Sequence, residues 1–290
     1  MNSRPAPGER PAGGLPTPRS GQANSSADWR QSFAERRRPR YRARMQRLGL
    51  IGFGQFGQLA ASVLKDHFDV LVADRASDAA ARAAALGVGF GTLEEAAARD
   101  IVVVAVPVVA MREVFAAIAP HLKPGALVVD VGSVKVLPAQ WMVELLPASV
   151  DIVATHPLFG PQSARTGLKG LRFVVCPIRG GRDRCVADFG RALGLAVTVT
   201  TPEEHDEEMA YVQALTHLIG RSLVNLGIPD ERLATQSYQH LLELCGLIGA
   251  DTFELFTAIQ TQNPYAPKIA NAFVKEAQSL LEQVGSRPKA

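Results

Sequence analysis

Two short polar motifs carry residues suited to proton transfer. His156 directly follows an apolar stretch and precedes Pro157, and Ser133 lies in the segment 130–135, which follows another apolar stretch. A free imidazole has a pKa of ~6.5, so it is mostly neutral at cytosolic pH and able to act as a general base. An ordinary buried histidine is the alternative, but a position at the end of a strand favours His156 as a catalytic base.

A second set of polar residues recurs at helical spacing. Asp206, Gln213, His217 and Arg221 are separated by seven, four and four residues, which places them on one face of a helix. Their neighbours are largely apolar, and a polar stripe on such a helix is costly unless it faces solvent or a ligand. A solvent-facing stripe is common, but the mixture of side chains favours the wall of a substrate cleft, with Gln213, His217 and Arg221 binding substrate.

A glycine-rich segment, Gly52 to Gly57, has the spacing Gly-x-Gly-x-x-Gly. The spacing alone is weak, but it ends a predicted strand and opens a predicted helix, as a dinucleotide-binding loop requires. Gly52 would allow the tight turn, Gly54 the approach of a pyrophosphate, and Gly57 close packing of helix and strand. Gln55 and Phe56 would then present backbone N–H groups to the pyrophosphate at the helix N-terminus.

Asp74 closes the second predicted strand, about twenty residues after the glycines, where a carboxylate binds the ribose hydroxyls of NAD. A helix N-cap is the alternative role for Asp74. Because Arg75 could accept a 2′-phosphate, NAD is favoured and NADP stays open. Ser133 would lie near the nicotinamide, since ligands of doubly wound sheets bind at the carboxyl ends of strands. An N-cap for the following helix is the alternative role for Ser133.

The elements that position these residues alternate between strand and helix. Apolar strands are predicted at 47–52, 70–73, 101–106, 127–131 and 152–154, with helices between them, and further strands at 173–176 and 196–199. This alternation predicts a doubly wound parallel sheet of the Rossmann type. After Pro202 the pattern is helical, with interruptions near 227–229, 249 and 263–264. We therefore predict a dinucleotide-binding domain over 45–201 and an all-helical domain over 202–290.

Residues 1–44 differ from the rest of the chain. They contain ten arginines and three acidic residues, with no hydrophobic periodicity, which predicts a disordered basic tail or a start of translation at Met45 instead of Met1. Without this segment the net charge of +3 becomes negative, which argues against nucleic acid as a partner.

No apolar run approaches the ~20 residues of a membrane span. The three cysteines lack metal-ligand spacing and are typical of a reduced cytoplasmic protein.

From Met45 onward the chain resembles the prephenate/arogenate dehydrogenase family of tyrosine biosynthesis, and several motifs resemble the plant-type arogenate enzymes. The resemblance rests on the ordered motifs GFGQFG (52–57), DVGSVK (130–135), THPLFGPQS (155–163), EEHDEEMAYVQALTHLIGR (203–221) and GADTFELFTAIQTQNPYA (249–266). It implies a Rossmann domain followed by a helical domain that forms a homodimer. It also implies that His156 is catalytic, that Ser133 assists it, and that His217 lines the substrate pocket.

The implied reaction is an oxidative decarboxylation of a cyclohexadienol, with a nicotinamide cofactor taking the hydride. The substrate carboxylates need cationic partners, for which Arg221 is the first candidate and Lys135, Arg165 and Lys169 are weaker ones. Arogenate carries an ammonium group where prephenate has a ketone, and Asp206 is the candidate to bind that ammonium. Alternatively, the negative charge of Asp206 stabilises the N-terminus of its own helix. Leu158, Phe159 and the segment 216–220 depart from the common bacterial motifs, which leaves the substrate subclass open.

Two other functions are compatible with parts of the sequence. A β-hydroxyacid dehydrogenase also combines a Rossmann domain with helices. The pattern typical of that class, however, has a catalytic lysine on a helix after the domain boundary. No lysine lies between Glu203 and Pro229. A non-catalytic dinucleotide-sensing module would explain the glycine motif but not Ser133, His156 and His217.

Overall fold

The strands between residues 47 and 199 build one eight-stranded sheet. The computed structural model describes residues 45–285. In sequence order the strands are β1 (Arg47–Ile51), β2 (Asp69–Ala73), β3 (Gly89–Phe90), β4 (Ile101–Val104), β5 (Leu127–Asp130), β6 (Asp151–Pro157), β7 (Arg172–Arg179) and β8 (Ala196–Val199). Their spatial order is β3-β2-β1-β4-β5-β6-β7-β8, so the direction of winding reverses between β1 and β4. The prediction of a doubly wound Rossmann sheet is confirmed.

Helices cover both faces of this sheet. They are α1 (Gln55–Leu64), α2 (Ala79–Leu86), α3 (Leu93–Ala97), α4 (Val108–Ile118), α5 (Val136–Leu145) and α6 (Asp183–Ala192). Alternate strand residues enter two apolar layers: Val103 packs with the layer that contains Ala61 of α1, and Val104 packs with the layer that contains Phe115 of α4. Strands buried on both faces must be largely apolar, as β4 is throughout and β5 is up to its last residue, Asp130.

The sheet is not parallel throughout. β7 runs antiparallel to β6 and parallel to β8. A parallel neighbour would need a crossover, usually helical, and the chain between Pro157 and Arg172 forms no helix. β6 also extends beyond the predicted end at residue 154, so that His156 lies inside the strand, paired with Val174, and does not follow it. The short elements β3 and α3 were not predicted.

From Pro202 the described chain is helical. It forms α7 (Pro202–Met209), a π-helical segment (Ala210–Leu215), α8 (Thr216–Leu226), α9 (Gln236–Gly249), α10 (Phe253–Gln262) and α11 (Ala266–Gly285). Thr201 and Glu204 form a capping box that sets the start of α7, where Pro202 needs no hydrogen-bond donor. The interruptions fall where the sequence predicts them. Among residues 45–285, no helix has the length and apolar character to cross a membrane. The predictions for residues 1–44 lie outside the described residues.

The close contact between β1 and α3 gives a stability prediction. A Cβ added to Gly49 would lie 2.0 Å from the carbonyl oxygen of Ala96, a backbone atom with little freedom to move. We expect Gly49→Ala to lower the free energy of unfolding by about 1–3 kcal/mol or more, measured by urea denaturation. In the control variant Gly246→Ala, the new Cβ on exposed α9 meets no atom within 4 Å, so stability should rise slightly. Equal losses in both variants would contradict this packing.

Candidate active site

The carboxyl ends of β1, β4, β5 and β6 meet at one edge of the sheet, next to the reversal between β1 and β4. The predicted glycine loop follows β1 there. Gly52 has φ +99°, and a Cβ on it would lie 2.5 Å from the carbonyl oxygen of Ala105. A Cβ on Gly57 would lie 2.2 Å from the carbonyl oxygen of Gly52. Both glycines are therefore required by the chain's own packing.

Gly54 has a different reason to be glycine. A Cβ at this position would meet nothing within 4 Å, so no part of the described chain excludes a larger residue. Gly54 and Gln55 are exposed, Phe56 is half-buried, and the N-terminus of α1 has no side-chain cap. Uncapped N–H groups beside an open glycine form a site for an anion that approaches the backbone closely. This geometry fits the pyrophosphate of a dinucleotide.

Asp74, the predicted ribose ligand, holds the same loop from the end of β2. Its Oδ2 accepts a hydrogen bond from the backbone N–H of Phe53 at 2.5 Å, and its Oδ1 accepts one from Ala76 at 2.8 Å. It therefore does not cap α2. Each oxygen keeps a second lone pair, which leaves Asp74 able to accept from a ribose hydroxyl. Arg75 is exposed and forms a surface ion pair with Glu113 at 2.9 Å.

A buried ion pair joins the ends of β5 and β6. Lys135 and Asp130 are both fully buried, and the Lys135 ammonium donates to Asp130 and to the carbonyl oxygen of Thr155, at 2.6 Å from the latter. The prediction that Lys135 could bind a substrate carboxylate is wrong, because its charge is committed inside the protein. The pair instead fixes the loop that carries Ser133. Ser133 does not cap α5, since its buried Oγ has no hydrogen-bond partner among the described residues.

His156 lies on the neighbouring strand with only 5% of its surface exposed. Burial lowers the pKa of its imidazole well below the usual value, and electrostatic interactions with His205 and Lys135 lower that pKa further. Its Nδ1 lies 2.9 Å from Nε2 of His205, and the two rings meet edge to face. His156 is therefore neutral at physiological pH, as a general base must be.

Of the helical residues predicted to bind substrate, His217 is buried and Gln213 and Arg221 are half-buried, and each has a buried polar atom without a hydrogen-bond partner among the described residues. Gln213 Oε1, His217 Nδ1 and Arg221 Nε are buried atoms without a hydrogen-bond partner in the described chain, as is Ser133 Oγ; Arg82 Nε is the other such atom there. Buried polar atoms without partners are rare in native proteins. Four of these five unpartnered atoms belong to residues that the sequence predicts to lie in the site. A polar ligand that binds against them would supply the missing hydrogen bonds.

Arg221 and His217 also contact the C-terminal end of α9 and the residues after it. Nη2 of Arg221 donates to the carbonyl oxygens of Ile248 and Asp251, at 3.2 and 2.7 Å, so its guanidinium keeps only part of its donor set for a ligand. Nε2 of His217 lies 3.9 Å from Oδ2 of Asp251. Burial lowers the pKa of His217, the Asp251 carboxylate raises it, and Arg221 lowers it.

The structure separates Asp206 from the predicted polar stripe. Asp206 is fully buried, and its carboxylate accepts from the backbone N–H groups of Lys135 and Val136, at 2.8 and 2.9 Å. The prediction that Asp206 binds a substrate ammonium is therefore wrong. Asp206 caps the N-terminus of α5 and does not serve the dipole of its own helix. The cause is the π-helical segment that begins at Ala210. Its i→i+5 hydrogen bonds widen each turn and rotate the following residues away from the α-helical register.

Sequence reasoning missed His205 and Asp130, which support the site, and assigned Lys135 the wrong role. His205 precedes Asp206 but lies outside the seven- and four-residue spacing of the polar stripe, so that spacing does not identify it. A histidine next to an aspartate at a helix start is the signal that could have found it. Asp130 and Lys135 lie five residues apart in one motif, and their pairing follows only from the loop geometry. Within residues 45–285, no group of three or more His, Cys, Asp or Glu residues is arranged to hold a metal ion.

Gly54 provides a test of the anion site. Because its added methyl group would occupy open space, we expect Gly54→Ala to keep the melting temperature of the wild type. Binding of NAD or NADP should weaken by about tenfold or more, which corresponds to ~1.4 kcal/mol or more, measured by isothermal calorimetry. Gly57→Ala is the comparison, because its methyl group collides with backbone and should reduce stability itself. Unchanged dinucleotide affinity in a folded Gly54→Ala variant would exclude this loop as the pyrophosphate site.

Solved structures support the fold. The structure of a prephenate dehydrogenase from Aquifex aeolicus, in complex with hydroxyphenyl propionate and NAD⁺, superimposes with a TM-score of 0.68 at 20% identity, covering 84% of this chain and 92% of that chain. The structure of Synechocystis arogenate dehydrogenase gives a TM-score of 0.63 at 19% identity, covering 82% and 92%. These likenesses establish a shared architecture.

Sequence comparison reaches further. Arogenate dehydrogenase 1 of Arabidopsis thaliana, a chloroplastic protein, is 32% identical over 83% of this chain and 39% of its own length. Arogenate dehydrogenase 2 of the same plant is 31% identical over 76% of this chain and 64% of its own length, so the chain matches less than two thirds of either relative. Residues 59–189 match the nucleotide-binding domain of prephenate dehydrogenase, and residues 201–289 match its dimerization domain. The chain therefore belongs to the prephenate dehydrogenase family.

Proposed function

We propose that this chain catalyses the oxidative decarboxylation of arogenate and/or prephenate, with a nicotinamide dinucleotide as hydride acceptor. The observation that carries the proposal is the buried, neutral His156 at the sheet edge that also holds the open glycine loop. A base beside a dinucleotide site is what oxidation of a hydroxyl requires. Family membership supports the same reaction.

His156 takes the proton of the substrate's ring hydroxyl. The bound nicotinamide supplies the acceptor for the hydride that leaves the same ring carbon. Loss of the ring carboxyl group as carbon dioxide then makes the ring aromatic and the reaction effectively irreversible. The electron pair of the broken C–C bond leaves the ring oxygen as a phenolate, which takes the proton back from His156. The low pKa of His156 keeps the imidazole unprotonated before the substrate binds, and Ser133, on the loop after the neighbouring strand, donates a hydrogen bond to the reacting oxygen.

The remaining unpaired polar atoms hold the rest of the substrate. Arg221 Nε and His217 offer donors to the carboxylates, and Gln213 adds a polar contact from the same helical region. A buried charge-assisted hydrogen bond of this kind is worth ~1.5–3 kcal/mol. These residues therefore favour a small dianionic substrate.

For the substrate we favour arogenate, because the motifs resemble those of the plant-type enzymes and the similar Arabidopsis proteins are arogenate dehydrogenases. With Asp206 excluded, the half-exposed carboxylate of Asp251 beside His217 is the acceptor available to an ammonium group. Initial rates with arogenate and prephenate, each with NAD and NADP, decide the point. A higher kcat/KM for arogenate supports this preference, and a higher value for prephenate contradicts it.

We further propose a homodimer, supported by the match to a dimerization domain. The last helix, α11, exposes large apolar side chains that a second copy would cover, among them Leu280, Leu281 and Val284.

The cofactor preference tests the role of Asp74. We propose NAD as the preferred cofactor, with the Asp74 carboxylate accepting from the ribose hydroxyls. Asp74→Ser should raise the ratio of kcat/KM for NADP over NAD by about tenfold or more, since a charged hydrogen bond to NAD is lost. Asp78→Ser removes a nearby exposed carboxylate that pairs with Arg82 and should leave the ratio unchanged. The same ratio in wild type and Asp74→Ser would limit Asp74 to holding the loop.

The base is tested by His156→Asn. The substitution removes the proton acceptor, so kcat should fall on the order of 10³-fold or more, with the dissociation constant of the dinucleotide nearly unchanged. His121→Asn changes an exposed histidine and should retain the full rate. A His156→Asn variant with a tenth of the wild-type rate would remove His156 from the mechanism.

A further inference from the structure

We infer that His205 and Asp206 are positioning residues that fix the tautomer of His156, so that its Nε2 is the nitrogen that receives the substrate proton. This inference rests on the proposed function, because it assigns the orientation of the base proposed there. It concerns a chain of three buried side chains, Asp206, His205 and His156, whose contacts join the helical region to β6.

The chain has an unambiguous direction because its first member only accepts. Asp206 accepts two backbone N–H groups, and Nδ1 of His205 lies 2.7 Å from its Oδ1. Against a carboxylate oxygen that already accepts from other donors, Nδ1 of His205 must carry a hydrogen. A neutral imidazole has one N–H, so Nε2 of His205 is left as an acceptor.

His205 in turn fixes which nitrogen of His156 carries hydrogen. Nδ1 of His156 lies 2.9 Å from the acceptor Nε2 of His205, so Nδ1 of His156 must donate a hydrogen. Its other nitrogen, Nε2, then carries the free lone pair, and no described residue hydrogen bonds to it. During the reaction the O–H bond of the substrate breaks and an N–H bond forms at this Nε2, while the hydrogen on Nδ1 stays in place.

The position of the carboxylate supports more than a packing role. His156 becomes positively charged when it takes the proton, next to the ammonium of Lys135, whose charge opposes this. Asp206 faces His156 through His205 and supplies the compensating negative charge, while Asp130 is committed to Lys135. In the Ser-His-Asp triad a buried carboxylate fixes the tautomer of the catalytic imidazole directly. Here Asp206 acts on His156 through His205.

The tautomers are measured directly in the wild-type protein. Two-bond ¹H–¹⁵N correlation spectra of histidine-labelled protein report which ring nitrogen carries hydrogen, and the chain has six histidines, which His156→Asn and His205→Gln would assign. At about pH 8, where free imidazole is neutral, we expect both His156 and His205 to be protonated on Nδ1. Hydrogen on Nε2 of His156 would overturn the inference. This readout needs no turnover, so it stands or falls independently of the proposed reaction.

Kinetics provide the second test. His205→Leu removes the acceptor for Nδ1 of His156, so kcat should fall about tenfold or more. KM and the dinucleotide dissociation constant should stay nearly constant, because the His205 side chain is buried and bonds to His156 and Asp206. His205→Gln restores an acceptor oxygen and should recover most of the loss. The matched controls His240→Leu and His240→Gln change an exposed histidine that pairs only with Glu243, and should not alter kcat.

The outcomes separate the two proposals. If His205→Leu keeps the wild-type kcat, or if His205→Gln is as slow as His205→Leu, the positioning role is wrong. If His205→Leu does not fold, the spectra of the wild type and the rate of His205→Gln decide instead. If the wild-type protein oxidises neither arogenate nor prephenate, the proposed function fails, and the tautomers alone judge this inference.

Discussion

One buried carboxylate connects the eight-stranded sheet region to the helical region that follows it. Asp206, at the start of the helical region, accepts hydrogen bonds from the backbone of Lys135 and Val136 in the loop after β5, and from His205 beside His156. Its own carbonyl oxygen accepts from the buried side chain of Asn263. Removing the carboxylate would leave two buried N–H groups without partners, each at a cost of ~1–3 kcal/mol. The same residue therefore stabilises the helix that follows Ser133 and holds the histidine that contacts His156.

Most of the fold is predictable from the sequence because its signals are local. Uniformly apolar strands such as β4 require cover on both faces, and the glycine spacing 52–57 marks the turn into α1. The antiparallel direction of β7 is not local information. It depends on how the segment between Pro157 and Arg172 returns to the sheet, and that segment has no hydrophobic periodicity from which its path could be predicted.

The candidate site likewise contains residues that local sequence signals predict and residues that they do not. The sequence predicts Ser133, His156, Gln213, His217 and Arg221, since each follows a predicted strand or recurs at helical spacing. It misplaces Asp206, because a π-helical segment shifts the register and the spacing argument assumes a continuous α-helix. It also misses the pair of Asp130 and Lys135, because an interaction inside a loop leaves no periodic trace. The roles of the identified residues in binding and catalysis stay predictions until they are measured.

The two other functions considered from sequence lose ground on particular residues. A sensing module has no use for the buried polar atoms of Ser133, Gln213, His217 and Arg221, which lack partners within the described chain. A β-hydroxyacid dehydrogenase would use a lysine that the helix containing His217 does not provide. Family membership agrees with the removal of both alternatives.

The central claim is that oxidation of the substrate hydroxyl, with His156 as the base, is coupled to loss of the substrate's carboxyl group. It is tested most directly by the stoichiometry of a complete reaction with limiting arogenate or prephenate. Reduced dinucleotide would be followed by absorbance, carbon dioxide by trapping, and the aromatic product by chromatography. The account predicts one carbon dioxide and one aromatic ring for each dinucleotide reduced. Reduction of the dinucleotide without release of carbon dioxide, or no reduction with either substrate, would contradict it.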